Sequence, residues 1–163
     1  MGYCRFFLSL SFETFAIHDA VVAMRRAERL GLGLLACVLL ALLVISMVLR
    51  PDPSGLGTHQ QLGLPACTSV QLLGMRCPAC GMTTSWAWMA RGRIDRALES
   101  NAGGAMLFVV TAVSIPWICW IIYRGSRADW EGLLLFAVIG VCTALVVAML
   151  GWGWAWAARG MLI

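Results

Sequence analysis

Two cysteines separated by two residues are the part of this sequence best suited to chemistry. The segment Cys77-Pro78-Ala79-Cys80-Gly81 places a proline directly after the first thiol. Proline suits the first turn of a helix, because its missing N–H would be unpaired there. A helix that starts here would stabilise a thiolate at Cys77 through its dipole and free N–H groups. The segment therefore predicts a metal site, a redox pair or a structural turn.

The metal interpretation draws on two residues earlier in the chain. Cys67 lies ten residues before Cys77, and His59 lies eight residues before Cys67. Together with Cys77 and Cys80 they offer three sulfurs and one imidazole, which is enough for a tetrahedral zinc site. A lone histidine in a loop is more often simply solvated, so His59 is the weakest member of the set. Cys37, Cys119 and Cys142 lie in apolar runs, where cysteine is usually a small buried hydrophobe.

The redox interpretation makes Cys77 a nucleophile and Cys80 its resolving thiol. Thioredoxin-like motifs of this kind follow a strand of a soluble fold, and no strand pattern precedes Cys77. In an oxidising compartment a structural disulfide, with or without Cys67, fits the same residues. In the third interpretation Cys, Pro and Gly only let helices approach closely.

The composition indicates that the chain works in a membrane. Hydrophobic residues make up 61% of the 163 residues and charged residues 12%, about half the charged share of soluble domains. The net charge of +4 is scattered and forms no basic stripe, which argues against nucleic acid as a partner. The bilayer and other membrane subunits are the expected partners.

Three apolar segments are long enough to span a bilayer: 30–49, 104–123 and 132–157. Pro116 should kink the second segment. Arginines before the first segment predict a cytoplasmic N-terminus. Residues 1–29 form an N-terminal extension, read either as an interfacial helix or as a mis-assigned start with Met24 as initiator. Residues 30–163 form a single membrane domain.

Residues 68–90 are apolar but broken in the middle by the Cys-Pro-Ala-Cys-Gly segment. If they stay on one side of the membrane, six arginines lie on each side. If they cross as a broken element, eight arginines are inside and four outside, which the positive-inside rule prefers. The fold expected is an all-α integral membrane protein with three spanning helices and a broken, membrane-embedded helix at the cysteines.

Short-range signals predict how the chain continues after the cysteines. Residues 83–91 should form a helix that ends at Gly92 in its C′ position. Asp95 should cap a short helix over residues 96–100, and Asn101 should cap the next spanning helix.

These residues resemble a family of small bacterial membrane proteins, domain of unknown function 2752. The family has a leading Cys, then a central element in which a Gly stands three residues before CPxCGxTR, and later Gly, Ala and Asn-Pro positions. They are matched by Cys67, Gly74, Cys77, Pro78, Cys80, Gly81, Thr83, Gly92, Ala97 and Asn101. The chain departs from the family at Thr84, Arg93 and Ala102, which stand for Arg, Asp and Pro.

The resemblance implies a multi-pass protein of the bacterial inner membrane and an important cysteine segment, and it implies no reaction. We therefore expect a non-enzymatic accessory or assembly subunit whose cysteines hold a metal ion, zinc for example, or a disulfide. The alternative is a membrane thiol–disulfide oxidoreductase. A transporter component is disfavoured, because the spanning segments carry no charged residue that would mark an ion path.

Overall fold

The computed structural model describes residues 24–125 and 128–159, and their regular structure is entirely helical. This confirms the expected all-α fold. Residues 1–23 lie outside the described part, so both interpretations of the N-terminal extension remain predictions. The elements are α1 (Arg26–Val48), a 3₁₀ helix (Thr58–Leu62), α2 (Thr68–Leu73), α3 (Met82–Met89), α4 (Ile94–Arg124) and α5 (Ala128–Arg159).

Three of these helices, α1, α4 and α5, are long and apolar enough to cross a membrane, which confirms the three predicted spans. The mean hydropathy of their most apolar stretches is 2.8, 2.2 and 2.9. Only 17%, 28% and 17% of those stretches are buried against the rest of the protein. The remaining Leu, Val and Ile side chains face outward, where lipid is the solvent that suits them.

Helix α4 is the centre of the bundle and packs against both α1 and α5. Gly103 allows the close approach of α4 to α5, because an added Cβ would collide with the backbone oxygen of Ala144. A hydrophobic cluster joins the three helices towards the end that carries the N-terminus of α1; its buried members are Met24, Leu32, Ala36, Ile118, Ile121 and Leu133.

Helix α4 is broken at Asn101, whose backbone is extended with φ −166° and ψ 106°. The Asn101 side-chain oxygen accepts the N–H of Gly104 at 2.8 Å, so Asn101 caps the second part of the helix as predicted. The break falls at Asn101 and not at Pro116, around which the backbone stays in the helical region; the kink at Pro116 stays a prediction. At Asn101 the side-chain oxygen takes the place of the backbone carbonyl that the Gly104 N–H loses at the break, so interrupting the helix here costs less free energy.

The start of α4 also differs from the prediction. The helix begins at Ile94 with Arg93 at its N-cap, and Asp95 lies in the first turn. The Asp95 carboxylate accepts from the Arg93 guanidinium at 3.0 Å instead of capping the helix. An ion pair with the residue before the helix therefore takes the place of the predicted cap.

Residues 49–93 connect α1 to α4 at one end of the bundle and do not cross it. Arg91, near the end of this segment, donates to the carbonyls of Ser46 and Met47 at the end of α1. At the opposite end of the bundle the Met24 N–H donates to the Gly125 carbonyl at 2.9 Å. The preference for a crossing element was therefore wrong: α3 has eight residues, about 12 Å of helix.

We call residues 49–93 the cap. Its longest helix, α3, packs against α4, where Trp86 meets Phe108 edge-on with ring centroids 5.6 Å apart. Helix α3 ends at Met89 with Ala90 as its C-cap, two residues before the predicted end. Gly92 has the expected left-handed backbone, with a φ of +70°, and its N–H donates to the Met89 carbonyl. Arg91 adds a donor to the Ala87 carbonyl at 2.8 Å, so one guanidinium binds the C-terminal carbonyls of both α1 and α3.

Candidate metal centre

Cys77 and Cys80 lie in a turn that precedes α3. The Cys80 N–H donates to the Cys77 carbonyl at 3.0 Å, and the Cys77 N–H donates to the Cys80 sulfur at 3.3 Å. Helix α3 starts only at Met82, after Gly81 with a φ of +84°. The prediction that Cys77 begins a helix was therefore wrong, because the left-handed backbone at Gly81 separates the turn at Pro78 from the helix.

Three sulfur atoms meet at this turn. Cys67, the N-cap residue of α2, brings its sulfur to 3.7 Å from that of Cys77, and the Cys77 and Cys80 sulfurs are 3.3 Å apart. All three lie within 4.8 Å of one another, and all three cysteines are free and partly buried. Segments separated by ten residues of sequence thus supply one compact group of soft ligands.

The surroundings shift the pKa values of Cys67 and Cys80 in opposite directions. The backbone N–H of Val70 lowers the pKa of Cys67 to about 7 despite the opposing effect of burial. Burial, followed by the neighbouring Cys77 thiol, raises the pKa of Cys80 to about 12. Crowded thiols resist forming several anions together, and a bound divalent cation reverses that balance because it stabilises each thiolate directly.

The distances fit a metal ion held by thiolates. Sulfurs bound 2.3 Å from one tetrahedral zinc ion lie about 3.8 Å apart. The Cys67–Cys77 and Cys77–Cys80 sulfur separations are 3.7 Å and 3.3 Å. Small rotations of the cysteine side chains would bring both to that value. The donor set of three sulfurs is one that zinc and other soft metals prefer.

His59 does not lie in the three-sulfur group. Its Nε2 atom is 3.2 Å from the Pro65 carbonyl oxygen, two residues before Cys67. His59 does line a cavity of about 380 Å³ that is also lined by Cys67, Cys77 and Cys80. A fourth metal ligand, whether His59 after a ring movement or a molecule from outside, would therefore approach from this cavity.

Side chains from two spanning helices hold the cysteine turn by its backbone. The Asn101 amide donates to the carbonyls of Pro78 and Cys80 at 2.9 Å and 3.1 Å. From α5, the Trp152 indole N–H donates to the Arg76 carbonyl at 2.6 Å. The turn is thus fixed on both sides of Cys77 by bonds that span at least 21 residues of sequence.

Gly81 is required by the close packing of the same turn. A Cβ built at this residue would lie 2.5 Å from the Ser100 oxygen and 2.9 Å from the Gly55 oxygen. No real side chain tolerates such contacts with backbone atoms, and the positive φ disfavours one independently. Gly81 therefore lets the turn lie directly on the start of α4 and on the loop before the 3₁₀ helix.

The threonines after the turn have different roles. Thr83 lines the 380 Å³ cavity. Thr84, where the family pattern has Arg, is buried and its hydroxyl is 2.7 Å from that of Thr58. The Thr58 hydroxyl also accepts the Asp52 N–H at 3.1 Å, so this pair joins the 3₁₀ helix to α3.

Sequence reasoning missed Thr58 and Trp152. A run of tryptophans ends α5, and such a run near a helix end is typical of an interfacial belt, which suits the exposed Trp154 and Trp156. Trp152 is partly buried and has a hydrogen-bond partner on the cysteine turn, and nothing in the sequence indicates that partner. The Thr58–Thr84 pair likewise joins residues 26 positions apart without a local signal.

The comparisons with known proteins agree with the residues that build the turn. No curated protein and no solved structure matches the chain. The matching family model covers Cys67, the cysteine turn and Asn101, and it ends within α4; His59 and Trp152 lie outside it. Residues 67–115 match the family described as "Protein of unknown function (DUF2752)", which confirms the resemblance seen in the sequence.

Proposed function

We propose that this protein is a non-enzymatic accessory or assembly subunit of a bacterial inner membrane, in which Cys67, Cys77 and Cys80 bind a metal ion. The observation that carries the proposal is the meeting of three sulfurs within 4.8 Å. Zinc is the metal best suited to such a set, because it accepts thiolates in a tetrahedral site without redox chemistry. Each cysteine that binds gives up its proton to solvent.

A metal accounts for all three cysteines, whereas a disulfide uses two and leaves one. The Cys67 sulfur is 3.7 Å from that of Cys77, nearly as close as Cys80, so the third thiol is part of the group. The turn is also held through the carbonyls of Arg76, Pro78 and Cys80. A dithiol that alternates between open and closed forms would gain little from such fixed backbone contacts, while a metal site gains affinity from preorganised ligands.

The accessory role follows from where the site lies. The cap joins α1 to α4 and is tied by side-chain hydrogen bonds to α1, α4 and α5. A metal that crosslinks α2 to the cysteine turn would stiffen this whole surface of the bundle. Such a rigid surface at the end of the spans is suited to contact with other membrane subunits.

The experiment is a metal and thiol count on the protein purified in detergent. Metal content is measured by mass spectrometry, and free thiols are titrated with and without reductant. The test variant is Cys67→Ser/Cys77→Ser/Cys80→Ser. The matched control is Cys37→Ser/Cys119→Ser/Cys142→Ser, which removes three exposed thiols from the spanning helices.

We expect about one zinc ion per chain in the wild type and the control, and none in the test variant. A protein without metal whose Cys77–Cys80 pair oxidises and reduces reversibly would overturn the proposal in favour of the oxidoreductase. Absence of both metal and redox response would overturn both and leave a structural turn.

A further inference from the structure

A second cavity of about 690 Å³ lies at the cap, away from the three sulfurs. Its charged lining residues are Arg76, Arg93, Arg96 and Glu99, and the hydroxyls of Ser54 and Ser100 also line it. Three positive groups and one negative group leave an excess of two positive charges in the lining. Like charges that converge on one space repel each other, and a bound anion would relieve that repulsion.

The three guanidinium groups differ in how far they are already engaged. Arg93 pairs with Asp95 at 3.0 Å and Arg96 with Glu99 at 3.2 Å, both on exposed surface. Among the described residues the Arg76 side chain has no hydrogen bond or ion pair, although its backbone is fixed by Trp152. Since a guanidinium has five N–H donors, all three arginines keep donors for an additional acceptor.

The cavity lies beside the ends of two apolar spanning segments, in α1 and α4. Arg93 and Arg96 stand before the break at Asn101, after which α4 becomes apolar. Arg91 fixes the cap to the last turn of α1, where the first span ends. Trp88 also lines the cavity, with the Arg93 guanidinium 6.0 Å from its ring centroid. Arginine and tryptophan together are typical of the membrane interface.

We propose that this cavity binds the phosphate of an anionic membrane lipid, with Arg76 as its principal donor. A planar guanidinium donates two parallel hydrogen bonds to phosphate oxygens, which Lys cannot do. The acyl chains of the lipid would extend along the outward apolar surface of the bundle. The cavity is separate from the three-sulfur group, so this proposal does not depend on the metal.

The test measures lipid selectivity of the full-length protein. The protein is exchanged into mixed micelles of phosphatidylglycerol and phosphatidylcholine, and the retained lipid is counted by native mass spectrometry. The test variant is Arg76→Gln. The matched control is Arg50→Gln, an exposed arginine of the cap that does not line this cavity and whose side chain makes no hydrogen bond in the described part. Arg76→Lys tests the bidentate geometry, and Arg76→Gln/Arg93→Gln enlarges the effect.

We expect wild type and Arg50→Gln to retain phosphatidylglycerol selectively. Arg76→Gln should lower that selectivity about tenfold, the value of one charge-assisted hydrogen bond, and Arg76→Lys should restore it only in part. Selectivity that is absent in the wild type, or lost equally in Arg50→Gln, would overturn the proposal.

A second arm distinguishes the source of the phosphate. Thermal unfolding is followed in nanodiscs of phosphatidylcholine alone, with added inorganic phosphate. Stabilisation by millimolar phosphate that depends on Arg76, without any lipid selectivity, would overturn the lipid assignment and identify a soluble phosphate as the ligand.

Discussion

The two ends of the helical bundle are held by different kinds of contact. Among the described residues at the end near Met24, the Met24 N–H donates to the Gly125 carbonyl, a hydrophobic cluster packs the three helices together, and Arg124 lies 3.9 Å from Asp129. At the cap, residues far apart in sequence are joined through side chains, among them Asn101 to the cysteine turn and Trp152 to Arg76. The described contacts at the first end are apolar packing and contacts close to the helix termini.

The difference indicates what the cap is for. Three spanning helices are connected as well by a short loop as by a folded segment, so residues 49–93 are not needed to make the bundle. Hydrogen bonds from α4 and α5 converge on the carbonyls of Arg76, Pro78 and Cys80 in this segment. We infer that the cap holds the sulfurs in place. Substitutions of residues that fix the cysteine turn should therefore weaken metal binding, whereas substitutions of exposed residues elsewhere should not.

The largest effect should come from Gly81→Ala. The new methyl would meet the Ser100 and Gly55 oxygens, and the backbone would have to hold a positive φ. Left-handed strain of about 1–2 kcal/mol and overpacking of about 1–3 kcal/mol should together lower the apparent melting temperature strongly and release the metal.

Gly63→Ala is the control for that variant. Gly63 lies in the same cap with a φ of +76°, but no atom lies within 4 Å of its added Cβ. It should show the backbone strain alone, about 1–2 kcal/mol, and keep the metal. Equal losses in the two variants would show that close packing at Gly81 is unimportant.

Asn101→Ala should have the next largest effect. It removes the donor to the Pro78 and Cys80 carbonyls and the cap of α4 at once. We expect a loss of about 1–3 kcal/mol in unfolding free energy and a fall of about tenfold in zinc affinity, measured by chelator competition.

Asn101→Asp separates the two functions of that side chain. The carboxylate can still accept the Gly104 N–H, but it cannot donate to the two carbonyls. Zinc affinity should therefore fall as in the alanine variant. If the aspartate variant binds zinc like the wild type, Asn101 serves only to cap the N-terminus of the second part of α4. Its two hydrogen bonds to the cysteine turn would then not hold the sulfurs in place.

The spanning helices were predictable because each is a continuous apolar run, and the Asn101 cap was predictable because it acts within three residues. The cluster of Cys67 with Cys77 and Cys80 followed from thiol chemistry and short spacing. The path of residues 68–90 was not predictable from arginine counts, because it depends on where Arg91 docks. Trp152 and Thr58 act on partners far along the chain, and only the packed fold defines them.

Trp152→Phe should have a moderate effect. It keeps an aromatic ring and deletes the one bond from α5 to the Arg76 carbonyl. The expected loss is about 0.5–1.5 kcal/mol, with weaker zinc retention in a chelator challenge. Trp154→Phe is the matched control, since Trp154 is 77% exposed two residues further along the helix. If Trp154→Phe lowers the free energy of unfolding and zinc retention as much as Trp152→Phe does, the effect comes from the membrane interface and not from the bond to Arg76.

The smallest effect should come from the opposite end of the bundle. Arg124→Gln removes one member of a pair with Asp129 that is 3.9 Å long, with the Arg124 side chain 57% exposed. The Asp129 side chain is 31% exposed, but a pair this long with a largely exposed guanidinium contributes about 0–1 kcal/mol. The free energy of unfolding should therefore barely change, and zinc affinity should not change. Arg91→Gln removes an arginine that binds the carbonyls of Ala87 and Met47. Arg91→Gln should lower the free energy of unfolding more than Arg124→Gln and should weaken zinc binding, because it frees the cap from α1. Equal losses in the two variants would show that the two ends of the bundle are held equally.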